Sequence, residues 1–163
     1  MKEITQFINE ATTAFKIADH LAYVTYLVVP DPKLALSVAE RLHEALCKCM
    51  DALIHHEYLY KRIDTVPSTF RDKFTLLKHN LTTTYAIPHD IITTLADLAA
   101  LMESKAQSSI EFTRKDKYVI ALRDYQLHTI TMPKIKRYIP AVKSFIAQVN
   151  TIINTHGNLR RTR

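Results

Sequence analysis

The chain has 163 residues with a formal net charge of +6, one glycine, two cysteines and no tryptophan. A chain of this length can bury a substantial core as one domain without disulfides or metals. The near absence of glycine excludes the loops that cradle phosphates in nucleotide-binding folds, and no apolar run approaches the roughly 18 residues that span a bilayer. We therefore expect a cytoplasmic, non-membrane protein with one domain, residues 1–157, and a basic tail, residues 158–163.

The first two predicted elements are long helices. Apolar residues recur every three or four positions from about Glu3 to Val29, and again from Pro32 to Ile63, a stretch with no glycine and no internal proline. Asp31 before Pro32 is typical of a helix start, because the carboxylate can accept from backbone N–H groups of the first turn. The short connection makes the two helices antiparallel neighbours, and the broad apolar arc of the second requires partners on several sides.

Two shorter helices are expected next. The first covers about residues 68–80, where Thr69 and Asp72 have the spacing of a capping box. Three consecutive threonines predict a loop over residues 81–87. Pro88 then opens the fourth helix.

Between Ile110 and Thr131 the pattern changes to two β-prone runs on either side of a charged turn. A final helix is predicted from about Met132, and Pro140 should kink it or delay its start. The predicted fold class is all-α: an antiparallel helical bundle of about five helices, two long, two shorter and one final. It carries a short β-hairpin-like or extended excursion near residues 110–131.

Charge is segregated along the chain. Residues 1–104 carry 10 Lys/Arg and 13 Asp/Glu, whereas residues 105–163 carry 12 and 3, a net charge of +9. Cations and aromatic rings interleave in this last third, as in surfaces that bind phosphates and stack on unpaired bases. We therefore interpret the protein as a non-catalytic interaction module for RNA or a ribonucleoprotein, with no cofactor. The candidate nucleic-acid-binding residues are Arg114, Lys115, Lys117, Tyr118, Arg123, Tyr125, Lys134, Lys136 and Arg137.

An Arg-x4-His spacing in the same region gives the alternative. The segment from Arg123 to His128, just ahead of the last helix of an α bundle, resembles the motif of the HEPN family of helical-bundle proteins. Many members are metal-independent ribonucleases with an Arg-polar-x-x-x-His motif, and others are non-catalytic modules. The resemblance implies a homodimer in which His128 helps to activate the ribose 2′-hydroxyl and Arg123 holds the scissile phosphate. The chain is also similar in length and helix layout to small uncharacterised archaeal proteins.

A row of polar side chains on the second helix has the residue types that bind zinc or iron. Successive i,i+4 positions drift by about 40° around the axis, so only two or three can share an ion, and we expect no metal site. The helix ends in a His- and Tyr-rich run, which predicts either hydrogen-bonded helix-end residues or a polar pocket with Asp19, His20 and Tyr23. Glu57 and Lys61, four apart, predict an ion pair. The polar row is His43, Cys47, Asp51 and His55.

Overall fold

Six helices and one three-stranded sheet make up residues 1–158, the part of the chain that the computed structural model describes. The first and third helices each contain one π-helical turn, Leu21–Thr25 and Leu77–Leu81, which locally widens the coil. The predicted basic tail lies, apart from Asn158, outside the described residues. The helices are α1 (residues 2–28), α2 (Lys33–Leu59), α3 (residues 70–85), α4 (His89–Gln107), α5 (Met132–Lys136) and α6 (Ile139–Asn158).

Helices α1 and α2 form the predicted antiparallel pair. The carboxylate of Asp31 accepts the backbone N–H of Lys33 at 3.0 Å, which confirms the predicted start of α2. Small side chains line the contact between the two helices and allow their backbones to approach closely. The buried alanines are Ala11, Ala14, Ala18 and Ala22 of α1 and Ala35, Ala39, Ala45 and Ala52 of α2.

Helix α2 is the centre of the fold. It contacts α1, α3, α4, α5 and α6 and also the sheet, as its broad apolar arc predicted. Helix α6 covers both α1 and α2 and also touches α4, and its Phe145 is fully buried. One cluster of buried apolar side chains extends from Ile4 to Ile153, so the helices share a single core.

Helix α3 is longer than predicted. The predicted loop over residues 81–87 is wrong for residues 81–85, which are helical. Leu77 and Leu81 anchor this turn in the core, and the hydroxyls of Thr82 and Thr84 donate to carbonyls one turn earlier. The threonines therefore satisfy their hydrogen bonds inside a helix, which ends at Ala86 in the left-handed conformation.

The excursion near residues 110–131 is a three-stranded antiparallel sheet in the order β1 (Ser108–Arg114), β2 (Lys117–Leu122) and β3 (Leu127–Ile130). The fold is therefore mostly helical, and the predicted all-α class needs this correction. The prediction placed a hairpin here, but the four residues of β3 are too short a run to show strand periodicity on their own.

The last helix begins in two steps. Helix α5 is followed by a two-residue break, and α6 starts at Ile139 with Pro140 in its first turn. The predicted delay at Pro140 is confirmed, because proline is tolerated in a first turn but not in a helix interior. Helix α6 continues through Gly157 to Asn158, the last residue that the structure describes.

Candidate nucleic-acid interface

The two faces of the sheet have different surroundings. Tyr118, Ile120 and Ile130 belong to the shared core, and β2 contacts α2 and α4. Because side chains alternate between faces along a strand, the neighbours of these three residues point away from the helices. The sheet therefore has one covered face and one face directed to solvent.

The solvent-directed side chains lie in rows across the sheet, because paired residues of antiparallel strands share a face. We call them the outward sheet face. Ile110 and Leu127 are 61% and 62% exposed, and Phe112 is 40% exposed. Val119 is buried although it is not part of the shared core, so its neighbours on this face cover it. The rows are Ile110, Ala121 and Leu127; Phe112, Val119 and Thr129; and Arg114 with Lys117.

Each end of the sheet has a turn with an unusual backbone conformation. In the turn between β1 and β2, Lys115 has φ of 56°, and in the turn between β2 and β3, Tyr125 has φ of 64°. The N–H of Tyr125 donates to the carbonyl of Leu122 at 3.1 Å, and the N–H of Leu122 donates to Gln126 at 2.9 Å. Glycine is the usual residue where this kind of hairpin needs a left-handed conformation. The ring of Tyr125 is nevertheless held there 94% exposed.

The positive charges between positions 106 and 158 have no ion-pair partners among the described residues. Earlier in the chain, ion pairs join Lys48 to Glu10 at 2.6 Å and Lys73 to Asp51 at 2.7 Å, and Lys105 pairs with Glu40. None of the eight Lys and Arg between positions 106 and 158 forms an ion pair with another residue of the described chain. The outward sheet face thus carries cations without ion-pair partners at both ends.

The predicted basic set is divided between two regions. Arg114, Lys115 and Lys117 lie at one end of the outward sheet face, and Arg123 and Tyr125 lie at the other. The α5 cations lie elsewhere: Lys134 lines a cleft beneath β3, and Lys136 lies 4.8 Å from the ring centre of Tyr23 and 5.7 Å from that of Tyr26. Arg137, the third cation of this second region, is exposed directly after α5.

Tyr118 is the member of the predicted set that is not available to a ligand. It is buried, and its hydroxyl donates to Glu111 at 2.6 Å. Burial and this hydrogen bond raise the pKa of Tyr118 to about 12, and the same bond, before all other causes, lowers the pKa of Glu111. Tyr118 therefore has a structural role, and the ring exposed on β1 is Phe112, which the sequence did not single out.

Arg123 and His128 line separate clefts. Arg123 is exposed beside the end of α4, with Gln107 and Asp124. His128 is half-buried on the covered side of β3, in a cleft with Asp97 and Tyr138. The hydroxyl of Tyr138 donates to Asp97 at 3.1 Å. One copy of the chain does not bring the predicted catalytic pair together.

The polar row on α2 is distributed among different partners. The Cys47 sulfur lies 3.6 Å from a ring nitrogen of His43, the Lys73 ammonium lies 2.7 Å from Asp51, and His55 packs on Phe7. Burial, and then the charge of Asp51, raise the pKa of Cys47 to about 12. Among the side chains that the structure describes, residues 1–155, no three His, Cys, Asp or Glu are grouped closely enough to hold an ion.

A buried polar cluster at the end of α2 was only partly foreseen. Glu57 accepts from Arg62 at 2.9 Å and also from the hydroxyl of Tyr85, and His56 is fully buried beside them. The predicted pair between Glu57 and Lys61 is wrong, because Lys61 leaves the helix in the left-handed conformation. The cluster joins α2 to α3 instead of to the predicted Asp19, His20 and Tyr23. The signal for it was the Glu57 position, which continues the apolar stripe of α2.

Comparisons with family models, curated proteins and solved structures return no match to this chain. The resemblance to the HEPN family therefore stays a prediction. Among the described residues, no helix combines the length and the apolar character needed to cross a membrane.

Proposed function

We propose that this protein is a non-catalytic helical module that binds RNA, free or in a ribonucleoprotein, through its basic last third. The observation that carries the proposal is the set of eight unpaired cations between positions 106 and 158. A cation without an ion-pair partner in the chain can bind an RNA phosphate. The RNA then releases counterions that were condensed on it, and this release favours binding.

The alternative function, a nuclease that uses Arg123 and His128, has no geometric support in a single copy of the chain. Cleavage requires His128 within hydrogen-bond reach of the ribose 2′-hydroxyl and Arg123 within reach of the adjacent phosphate. The two residues line different clefts instead. The binding module is therefore the better supported function, and cleavage becomes an outcome of its test.

The test is the salt dependence of RNA binding. A labelled single-stranded RNA is titrated with protein at several salt concentrations, and affinity is measured by fluorescence anisotropy in EDTA. Each phosphate contact contributes about −0.7 to the slope of log K against log salt for a single strand. The triple variant Arg114→Gln/Lys115→Gln/Lys117→Gln should therefore lose about 2 from the magnitude of this slope.

The matched control removes the same charge from helices outside the last third. In Lys16→Gln/Arg71→Gln/Lys78→Gln, three cations without ion pairs in the described chain are replaced, and the slope should be retained. Equal losses in both variants would mean that only total charge matters and would overturn the proposed site. Absence of binding at low salt, or RNA cleavage that Arg123→Ala abolishes, would overturn the proposed function.

A further inference from the structure

The outward sheet face is an apolar surface open to solvent. Its exposed apolar side chains are Ile110, Phe112 and Leu127, which are 61%, 40% and 62% exposed. Exposed apolar groups in a contiguous patch are typical of a binding surface. The occupant is indicated by the border of the patch. One end is positive, with three cations and the single carboxylate of Asp116, and the other end carries Arg123 beside Asp124.

We propose that this face binds single-stranded RNA, with Phe112 and Tyr125 stacking on unpaired bases while cations at the two ends hold phosphates. This inference rests on the proposed function and adds the form of the nucleic acid and the residues that contact its bases. The phosphate contacts come from Arg114, Lys115 and Lys117 at one end and from Arg123 at the other.

The shape of the face favours a single strand over a duplex. Phe112 lies in the middle row of the sheet and is 40% exposed, so the face of an unpaired base can stack on its ring. In a duplex the base faces are covered by their neighbours, whereas unpaired bases are free to stack on aromatic rings. A strand of six residues spans roughly 20 Å, and sheets of comparable breadth stack two or three bases.

The backbone of Tyr125 supports a binding role for its ring. A bulky residue with positive φ is an outlier that a glycine would relieve. The turn gains no packing from this ring, because it is 94% exposed. The conformational cost is therefore not offset by packing of the ring, which is the situation expected for a side chain that contacts a ligand.

The test uses the absence of tryptophan from the chain. In the variant Phe112→Trp, the single indole reports directly on its own surroundings. A single-stranded RNA of about eight nucleotides, within the range of known site sizes, should quench its emission, and a duplex of the same length should not. Phe70→Trp on α3, at a position with similar exposure, is the matched control and should be unaffected.

Binding of the same RNA by two further variants completes the test. Phe112→Ala and Tyr125→Gly should each bind the single strand roughly 5- to 100-fold more weakly, the range expected for one lost stack. Tyr125→Gly should at the same time unfold at a higher urea concentration, since glycine relieves the backbone. The control Tyr58→Ala, at an exposed ring of α2, should keep its affinity.

The possible failures are distinguishable. Salt-sensitive binding with equal affinity for duplex and single strand, and a silent Phe112→Trp indole, would overturn this inference and leave the proposed function standing. No binding of either RNA would overturn both. Indole emission that changes with protein concentration in the absence of RNA would show that a second copy covers the face, and would also overturn the inference.

Discussion

Lys61 holds a left-handed backbone conformation at the end of α2, with φ of 57°. Its N–H donates to Tyr58 at 3.0 Å and the next N–H, of Arg62, donates to Glu57 at 2.9 Å, the pair of bonds that defines a Schellman motif. Glycine is the preferred residue at this position, because it has no Cβ to clash. We therefore expect Lys61→Gly to raise the free energy of unfolding by up to about 1 kcal/mol.

Urea unfolding followed by circular dichroism measures this change. Lys61→Ala is the control, because it removes the charge but keeps the Cβ, and it should give no increase. A gain of similar size in both variants would show that the charge of Lys61, and not its backbone conformation, limits stability.

Tyr118 should make the fold sensitive to alkaline pH. Its pKa rises from about 10 in the unfolded chain to about 12 in the folded protein, because of burial and the hydrogen bond to Glu111. The neutral phenol is the form that the fold favours, so its stabilisation is complete below about pH 10 and is lost as the pH rises through about 12.

The urea concentration at the midpoint of unfolding is measured at several pH values between about pH 9 and pH 11. Tyr118→Phe should lose less stability over this range than the wild type, whatever its stability at neutral pH. Tyr125→Phe, which changes an almost fully exposed ring, should keep the wild-type pH dependence. An unchanged slope in Tyr118→Phe would show that other groups cause the alkaline loss.

Helix α3 is stabilised by Thr69, the capping residue directly before its first turn. The hydroxyl of Thr69 accepts the N–H of Asp72 at 3.2 Å and donates to the Asp72 carboxylate at 2.8 Å. This confirms the predicted cap, although the carboxylate binds the hydroxyl instead of the backbone N–H of a full capping box. Thr69→Ala should lower the free energy of unfolding by about 1 kcal/mol.

Thr75→Ala within the same helix is the comparison. Its exposed hydroxyl donates to the carbonyl of Arg71, a bond that adds little to a helix, and alanine is the better helix former. We expect no loss of stability in this variant, as measured by urea unfolding. Equal losses at the two positions would mean that α3 responds to threonine content and not to the cap.

Elements whose evidence is local were predictable from the sequence. The start of α2 at Asp31, the cap of α3 and the delay at Pro140 each depend on residues within one turn. The end of α3 was not predictable from local evidence. The threonines at 82–84 favour a loop on their own, and they are helical because Leu77 and Leu81 anchor this segment in the core. Strand β3 also depends on its partner, since four residues have no independent tendency to form a strand.

The candidate interface was predictable in its charges but not in its arrangement. Cations and rings near positions 114–125 are visible in the sequence. Which rings face solvent depends on the register of the strands, and a shift of one residue exchanges the two faces. For this reason Tyr118, which appeared to be a stacking residue, is buried, and Phe112 is the exposed ring.

Across the described molecule, the ion pairs use cations unevenly along the chain. Cross-element pairs such as Lys48 with Glu10 and Lys73 with Asp51 use cations that precede the last third. None of the ion pairs in the described chain uses a cation of the sheet or of α5. Like charges that remain close to each other, such as Lys115 and Lys117, repel and lower stability unless salt or a polyanion screens them.

This repulsion predicts how salt acts on the unfolding free energy. At about 0.05 M NaCl the screening length exceeds 10 Å, and at about 0.5 M it is well below it. Lys115→Gln/Lys117→Gln should be more stable than the wild type at low salt, by roughly 0.5 kcal/mol, and the difference should vanish at high salt. Urea is the required denaturant, because guanidinium chloride would itself screen the charges.

Lys16→Gln/Lys78→Gln, with the same change of charge on α1 and α3, should follow the wild type at every salt concentration. If the difference in unfolding free energy between Lys115→Gln/Lys117→Gln and the wild type stayed the same at every salt concentration, repulsion between these cations would not be its cause. The difference would then come from the conformation of the side chains in the turn.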